Sequence, residues 1–323
     1  MPKVVSPPRQ PVASPLRPPD ARQGPGPMPR GLVEALEPAV NRLVAQLLPG
    51  GRRAVGVGFG TELAQLRPYV TGDDVRHIDA AASARTGTLH MRLHVPERTL
   101  TTWIVLDLSP SMAFGTARRL KADVAEGVAL VFGRLGLRRA GSVGVVAFGV
   151  GGDGGADAAN AWRILPPRGS KPGMIALRKL LAEGVAQDRS ADVEPHELAG
   201  ALGRVNRLAT HPGLVVVISD FRDQEDWESP LGALRLRHAT VAVEVADPRE
   251  RELPAAGRLA LVDPETGELI QVNSSGARLR ERFAALERER RERIAAELRR
   301  LGIRHVRLST DQDWLVELGR RIG

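Results

Sequence analysis

Trp103-Ile104-Val105-Leu106-Asp107-Leu108-Ser109-Pro110-Ser111 is the stretch that decides how this chain is read. Its first four residues form a continuous apolar run, as expected of a strand buried on both faces, and the run stops at a carboxylate followed by two alternate hydroxyls. Helical periodicity over residues 120–137 comes next, then a second apolar run at residues 142–148. A Gly-rich loop leads to a short segment at residues 162–165. Helical patterns near residues 174–182, 195–208 and 227–236 then alternate with strands at 214–219 and 240–245. Strands alternating with helices of this length need right-handed crossovers, which predicts an α/β fold with a doubly wound, mostly parallel sheet flanked by helices. Two short apolar segments flank Asp263-Pro264-Glu265-Thr266-Gly267 and predict a β-hairpin insertion.

Toward the C-terminus, residues 278–301 form the longest helical pattern, with nine Arg and five Glu and many pairs at i,i+3 or i,i+4. This is a solvated helix face. A strand at 304–308 and a short helix at 311–321 close the chain, with Ser309-Thr310-Asp311 offering capping oxygens. Toward the N-terminus, residues 55–95 are short, Gly-punctuated and charged, ending in an alternating strand at 89–95, and residues 32–48 predict one amphipathic helix. Ten of the 24 prolines fall in residues 1–30, a composition too polar to offset its own ordering entropy. The expected organisation is therefore a disordered tail (1–30) whose removal leaves stability unchanged, an N-terminal segment (31–97) and an α/β domain (98–323).

The net charge of +8 invites a nucleic-acid reading, but residues 1–30 carry +4 of it, and aromatics make up 3% of the chain, too few for a base-stacking platform. No nucleic-acid partner is expected. The absence of Cys excludes disulfides and thiolate chemistry. No run approaches the roughly 20 apolar residues of a membrane span, and the N-terminus lacks the apolar core of a signal peptide, so a cytoplasmic protein is expected.

In open parallel sheets ligands bind beyond the carboxyl ends of the strands. Asp107, Ser109 and Ser111 lie at such an end, and Asp220 closes the strand Val217-Ile218-Ser219. Two readings fit the first three residues: an N-terminal helix cap, or an all-oxygen pocket suited to a hard cation such as Mg²⁺. An Asp-x-Asp phosphatase would need a second carboxylate where Ser109 stands, and the G-x-S-x-G elbow and the phosphate-binding G-x-x-x-x-G-K-S/T loop are missing, so no enzyme is expected.

At these residues the sequence resembles the von Willebrand factor A fold, whose metal-ion-dependent adhesion site begins with D-x-S-x-S and includes a later strand-end Asp, matched by Asp107, Ser109, Ser111 and Asp220. Upstream, Leu66-Arg67-Pro68-Tyr69-Val70-Thr71-Gly72-Asp73-Asp74-Val75-Arg76-His77-Ile78-Asp79, followed by Ala82-Ser83-Ala84-Arg85, resembles the hallmark of the DUF58 family. Val245-Ala246-Asp247-Pro248-Arg249-Glu250, Val262-Asp263-Pro264-Glu265-Thr266-Gly267 and Leu308-Ser309-Thr310 before Trp314 are similar to that family too.

The resemblance implies a non-enzymatic, protein-binding domain, with Mg²⁺ or Mn²⁺ at the site, whose partner is a MoxR-type AAA+ ATPase acting in assembly or maturation of other proteins. A metal-dependent hydrolase built on Asp107 and Asp220, or an adaptor with a vestigial metal site, is the alternative. Two positions depart from the pattern: Ala80 stands where the hallmark has Trp, and His196, before Glu197-Leu198, stands where the family's metal-site Thr is expected. The hallmark charges Arg67, Asp73, Asp74, Arg76, Asp79 and Arg85, with Tyr69 and Gly72, read as a structural ion-pair lattice tying the segment to the sheet.

Overall fold

The computed structural model describes residues 23–47, 62–95, 100–138, 140–149, 162–184, 198–222, 226–262 and 269–323. Within the first of these stretches, the single helix expected at 32–48 is two, α1 (Arg30–Ala35) and α2 (Glu37–Leu47). Pro38 has no N–H to continue the ladder of α1, so the chain turns at Leu36 and restarts with Pro38 in the first turn, where no donor is needed. Val33, Leu36, Val40, Leu43 and Val44 are buried in the main core, so both helices belong with the α/β domain. The N-terminal stretch joins it as well. Gln23 and Gly24 donate backbone N–H groups to Asp123 (3.1 and 2.9 Å), and Trp314 donates its indole N–H to the Pro25 carbonyl (2.9 Å), so residues 23–29 are not free tail.

Next come β1 (Glu62–Pro68), α3 (Ala80–Thr86) and β2 (His90–Val95), with β1 and β2 antiparallel. Strand β1 escapes a reading by alternation because its register shifts between Leu63 and Gln65.

The α/β domain then runs β3 (Thr101–Asp107), α4 (Lys121–Gly136), β4 (Ser142–Phe148), β5 (Arg163–Gly169), α5 (Ser170–Ala182), α6 (Leu198–Leu208), β6 (Leu214–Ser219), α7 (Glu228–Arg235) and β7 (Ala239–Ala246). It continues through the hairpin β8 (Arg258–Val262) and β9 (Leu269–Asn273) to α8 (Ala277–Arg300), β10 (Arg304–Ser309) and α9 (Trp314–Ile322). Among the described residues the main sheet has the order β10-β7-β6-β3-β4-β5, parallel except for the antiparallel edge strand β5. The expected α/β architecture is therefore present.

One face of the sheet carries α1, α2, α4, α5 and α9 over Ile104, Leu106, Val145 and Val216; the other carries α6, α7 and α8 over Val105, Val146 and Val217. Each of these fully buried aliphatics contributes about 1.5–3 kcal/mol, and their presence on both faces explains the unbroken apolar runs. From β3 the chain moves outward to β4 and β5, then returns to β6 on the other side. The order of strands thus reverses between β3 and β6, which opens a crevice beyond their carboxyl ends.

Candidate functional site

Asp107 ends β3 and Asp220 follows β6, and because these strands pair in parallel with Leu106 opposite Ile218, both carboxylates emerge at that crevice. Gly149, at the end of β4, has φ +73, and a Cβ there would lie 2.5 Å from the Ser109 nitrogen, so only glycine lets β4 close on this loop. The sequence-predicted residues meet. Ser109 donates its N–H to Asp107 Oδ1 (2.9 Å), Ser219 donates its hydroxyl to Asp107 Oδ2 (2.6 Å), and the Ser109 and Ser111 hydroxyls lie 3.0 Å apart. Ser111 in turn donates to Asp220 Oδ2 (2.9 Å). Phe221 follows at φ 53, a left-handed conformation unusual for a bulky residue, and donates its N–H to Ser219 Oγ.

Several residues not singled out from sequence complete the cluster. Lys121, at the first position of α4, is wholly buried, and its ammonium donates to Asp220 Oδ2 (2.6 Å) and Glu250 Oε1 (2.7 Å). Arg222 lies 3.2 Å from Glu250 through Nε and 3.0 Å from Glu287 through a terminal nitrogen, and Arg290 joins Glu287 at 3.2 Å. Asp247, buried at the end of β7, accepts from the Thr116 N–H (2.8 Å), the Thr116 hydroxyl (2.5 Å), the Thr310 hydroxyl (2.5 Å) and the Arg249 N–H (2.9 Å). It ties the ends of β7 and β10 to the loop after β3. Thr310 thus serves the site, and the cap of α9 is Asp313, not the Ser309-Thr310-Asp311 expected from sequence.

The electrostatics follow from this arrangement. Burial would raise the Lys121, Asp220 pair's neutral forms, but mutual attraction outweighs it: Asp220 is held below the ordinary carboxylate range and Lys121 above the ordinary lysine range. Asp107 has no such help, and burial together with the nearby Asp220 charge pushes its carboxyl up to about 7. Asp220, Glu250 and Glu287 face Lys121, Arg222 and Arg290, whereas Asp107 and Asp247 accept hydrogen bonds from hydroxyls and backbone N–H groups.

The oxygen donors of Asp107, Ser109 and Ser111 are of the type a hard cation takes, but the charge arrangement does not fit one. The Asp220 oxygen facing Ser111 already accepts from the Lys121 ammonium, so a divalent ion at that oxygen would meet a like charge. Among the described residues no group of three or more His, Asp or Glu side chains is placed to hold a metal ion. His196 lies outside the described residues.

Comparison with known proteins agrees with the sequence motifs. Residues 65–293 match the family described as "Protein of unknown function DUF58". The chain belongs to the DUF58 family. Among its relatives, the uncharacterized protein Rv1480 of Mycobacterium tuberculosis is 33% identical over 290 residues, covering 89% of this chain and 87% of that protein. Similar solved structures include the conserved hypothetical protein BatB from Bacteroides thetaiotaomicron (TM-score 0.41, 15% identity, 69% of this chain and 97% of that one). Another is a von Willebrand factor type A protein from Catenulispora acidiphila (TM-score 0.33, 15% identity, 60% and 43%).

The DUF58 hallmark at residues 66–85 forms ion pairs within its own segment. Arg67 pairs with Asp73 (2.6 Å), Arg76 with Asp74 (2.7 Å), and Asp79 caps α3 through the Ala82 N–H and pairs with Arg92 (2.9 Å). These are separate pairs within residues 62–95, and none of them ties the segment to the sheet. The Tyr69 N–H bonds the Leu89 carbonyl, Gly72 takes the left-handed φ of 108, and Arg85 is exposed in the last turn of α3. Ala80, in place of the hallmark Trp, opens α3 and is exposed.

The later hallmark residues Asp247, Glu250 and Thr310, in contrast, are built into the crevice. Of the missed residues, Lys121 carried no local signal: only four of the 46 basic residues are Lys, but Lys171, also in the first turn of a helix, is exposed. No helix of the described residues is long and apolar enough to cross a membrane.

Proposed function

We propose that this DUF58 protein is a non-enzymatic, cytoplasmic binding module that docks a MoxR-type AAA+ ATPase at the carboxyl edge of its sheet and works with it in the assembly or maturation of other proteins. The observation that carries this reading is the convergence of the loops after β3, β6 and β7 on one buried, mutually bonded charge cluster. Loops fixed in this way hold their outer residues in place, and those residues include the exposed Arg118 and Arg249. Their guanidiniums suit capture of carboxylates on an acidic partner segment. Such a contact is made by the protein's own charges.

Acid–base chemistry through Asp220 is disfavoured by its ion pair. Ser109 and Ser111 bond each other and Asp220, and a carboxylate already held by an ammonium, below its ordinary range, is a poor general base. A photocrosslinking residue placed at Arg118 or Arg249 in the native host tests the reading. The ATPase should crosslink from both positions and not from Leu236, which is exposed at the opposite edge. Equal capture from Leu236, or none from the edge, would refute it.

A further inference from the structure

We propose that the Lys121 ammonium is the resident cation of this site and takes the place of a divalent metal ion. The ammonium is sealed from solvent at the crevice between β3 and β6 and lies 2.6 Å from the strand-end carboxylate Asp220 and 2.7 Å from Glu250. That is where the charge of a cation has to sit if Asp220 is to stay ionised in a buried pocket. An ammonium supplies up to three donors at hydrogen-bond distance and needs no dehydrated coordination sphere. It also links elements a metal at Asp107 and the serines would not reach, because Glu250 belongs to the turn after β7 and its other oxygen accepts the Asp247 N–H (2.8 Å).

Lys121 therefore joins α4, the end of β6 and the β7 turn in one charge network. Arg could not do this in the same space, since its planar guanidinium is larger and its fork does not match two carboxylates approaching a single point. The position holds one of the four lysines in a chain that otherwise uses Arg. The site is then permanently assembled and independent of metal supply. This inference concerns the site alone and stands whether or not the edge binds an ATPase.

The test uses the full-length protein purified without added metal. Elemental analysis of wild type after dialysis against Mn²⁺ should find no stoichiometric metal, and its melting temperature should move by less than about 1 °C between EDTA and millimolar Mg²⁺ or Mn²⁺. Lys121→Ala should melt lower than wild type in EDTA and recover progressively as Mn²⁺ is raised, the response of a ligand that binds only the folded state. One equivalent of Mn²⁺ on wild type, with a saturable rise in melting temperature that Asp107→Ala abolishes, would overturn the proposal. So would a folded Lys121→Ala that melts like wild type or ignores Mn²⁺. If Lys121→Ala does not fold, the metal content and melting of wild type decide alone.

Discussion

Replacing Asp107 by Asn should raise the stability of this protein at neutral and alkaline pH. Asp107 is 3% exposed, and its carboxyl is pushed from the ordinary 3.8 up to about 7 by burial and by the Asp220 charge. In the folded chain it keeps its proton through a range in which the unfolded chain has lost it. The raised value means that stability is greatest below the unfolded pKa and falls as pH rises through the folded one. Over roughly three pH units at about 1.36 kcal/mol each, the loss approaches about 4 kcal/mol. Asn has the shape of the protonated acid and nothing to ionise; its oxygen can keep the Ser109 N–H and its amide can donate toward Ser219 Oγ. Urea unfolding at a series of pH values measures the difference. The variant should match wild type within about 1 kcal/mol near pH 4 and exceed it by up to about 4 kcal/mol near pH 8. Parallel pH profiles, or a variant less stable than wild type at pH 8, would show that the carboxylate is ionised and compensated in the folded state, and the charge accounting would fail.

Thr310→Val removes a hydroxyl from the buried Asp247 and should cost about 1–3 kcal/mol in urea unfolding. Gly127→Ala places a Cβ 2.3 Å from the Trp314 ring, and the overpacking should cost about 1–3 kcal/mol in the same assay. Removing the chain ahead of Arg30 takes away the bonds to Asp123 and Trp314, so thermal unfolding should show a loss of about 1–3 kcal/mol, where composition alone predicted none. Asp313→Ala removes the cap of α9 and should cost about 0.5–2 kcal/mol.

The sheet was legible in the sequence because its central strands are buried on both faces and therefore appear as unbroken apolar runs between helical periods. The first part of the site was legible for a related reason: Asp107, Ser109, Ser111 and Asp220 sit where those runs stop. Their companions were not, because strand order is not written locally. Nothing near Asp247 says that β7 lies between β6 and β10, so its meeting with Thr116 and Thr310, 131 and 63 residues away, is a property of the assembled sheet. Lys121 was hidden by the opposite circumstance. Lysine at a helix start reads as solvated, as Lys171 at the start of α5 is, and nothing in the sequence around Lys121 sets it apart as buried. The break between α1 and α2 was visible in Pro38 but was outweighed by an apolar period that runs through it. Ser309-Thr310-Asp311 has the composition of a cap, yet the Thr310 hydroxyl is drawn to a buried carboxylate that no local pattern reveals.

The central claim is that this edge binds its partner through the protein's own charges. Calorimetric titration of the purified chain into the nucleotide-free MoxR-type ATPase of the same host, in EDTA and again in Mg²⁺, tests it most directly. The account predicts saturable binding with the same dissociation constant in both buffers, weakened at least about tenfold, or 1.4 kcal/mol, when Arg118 and Arg249 are both changed to Glu. Binding seen only in Mg²⁺ and abolished by Asp107→Ala would contradict it.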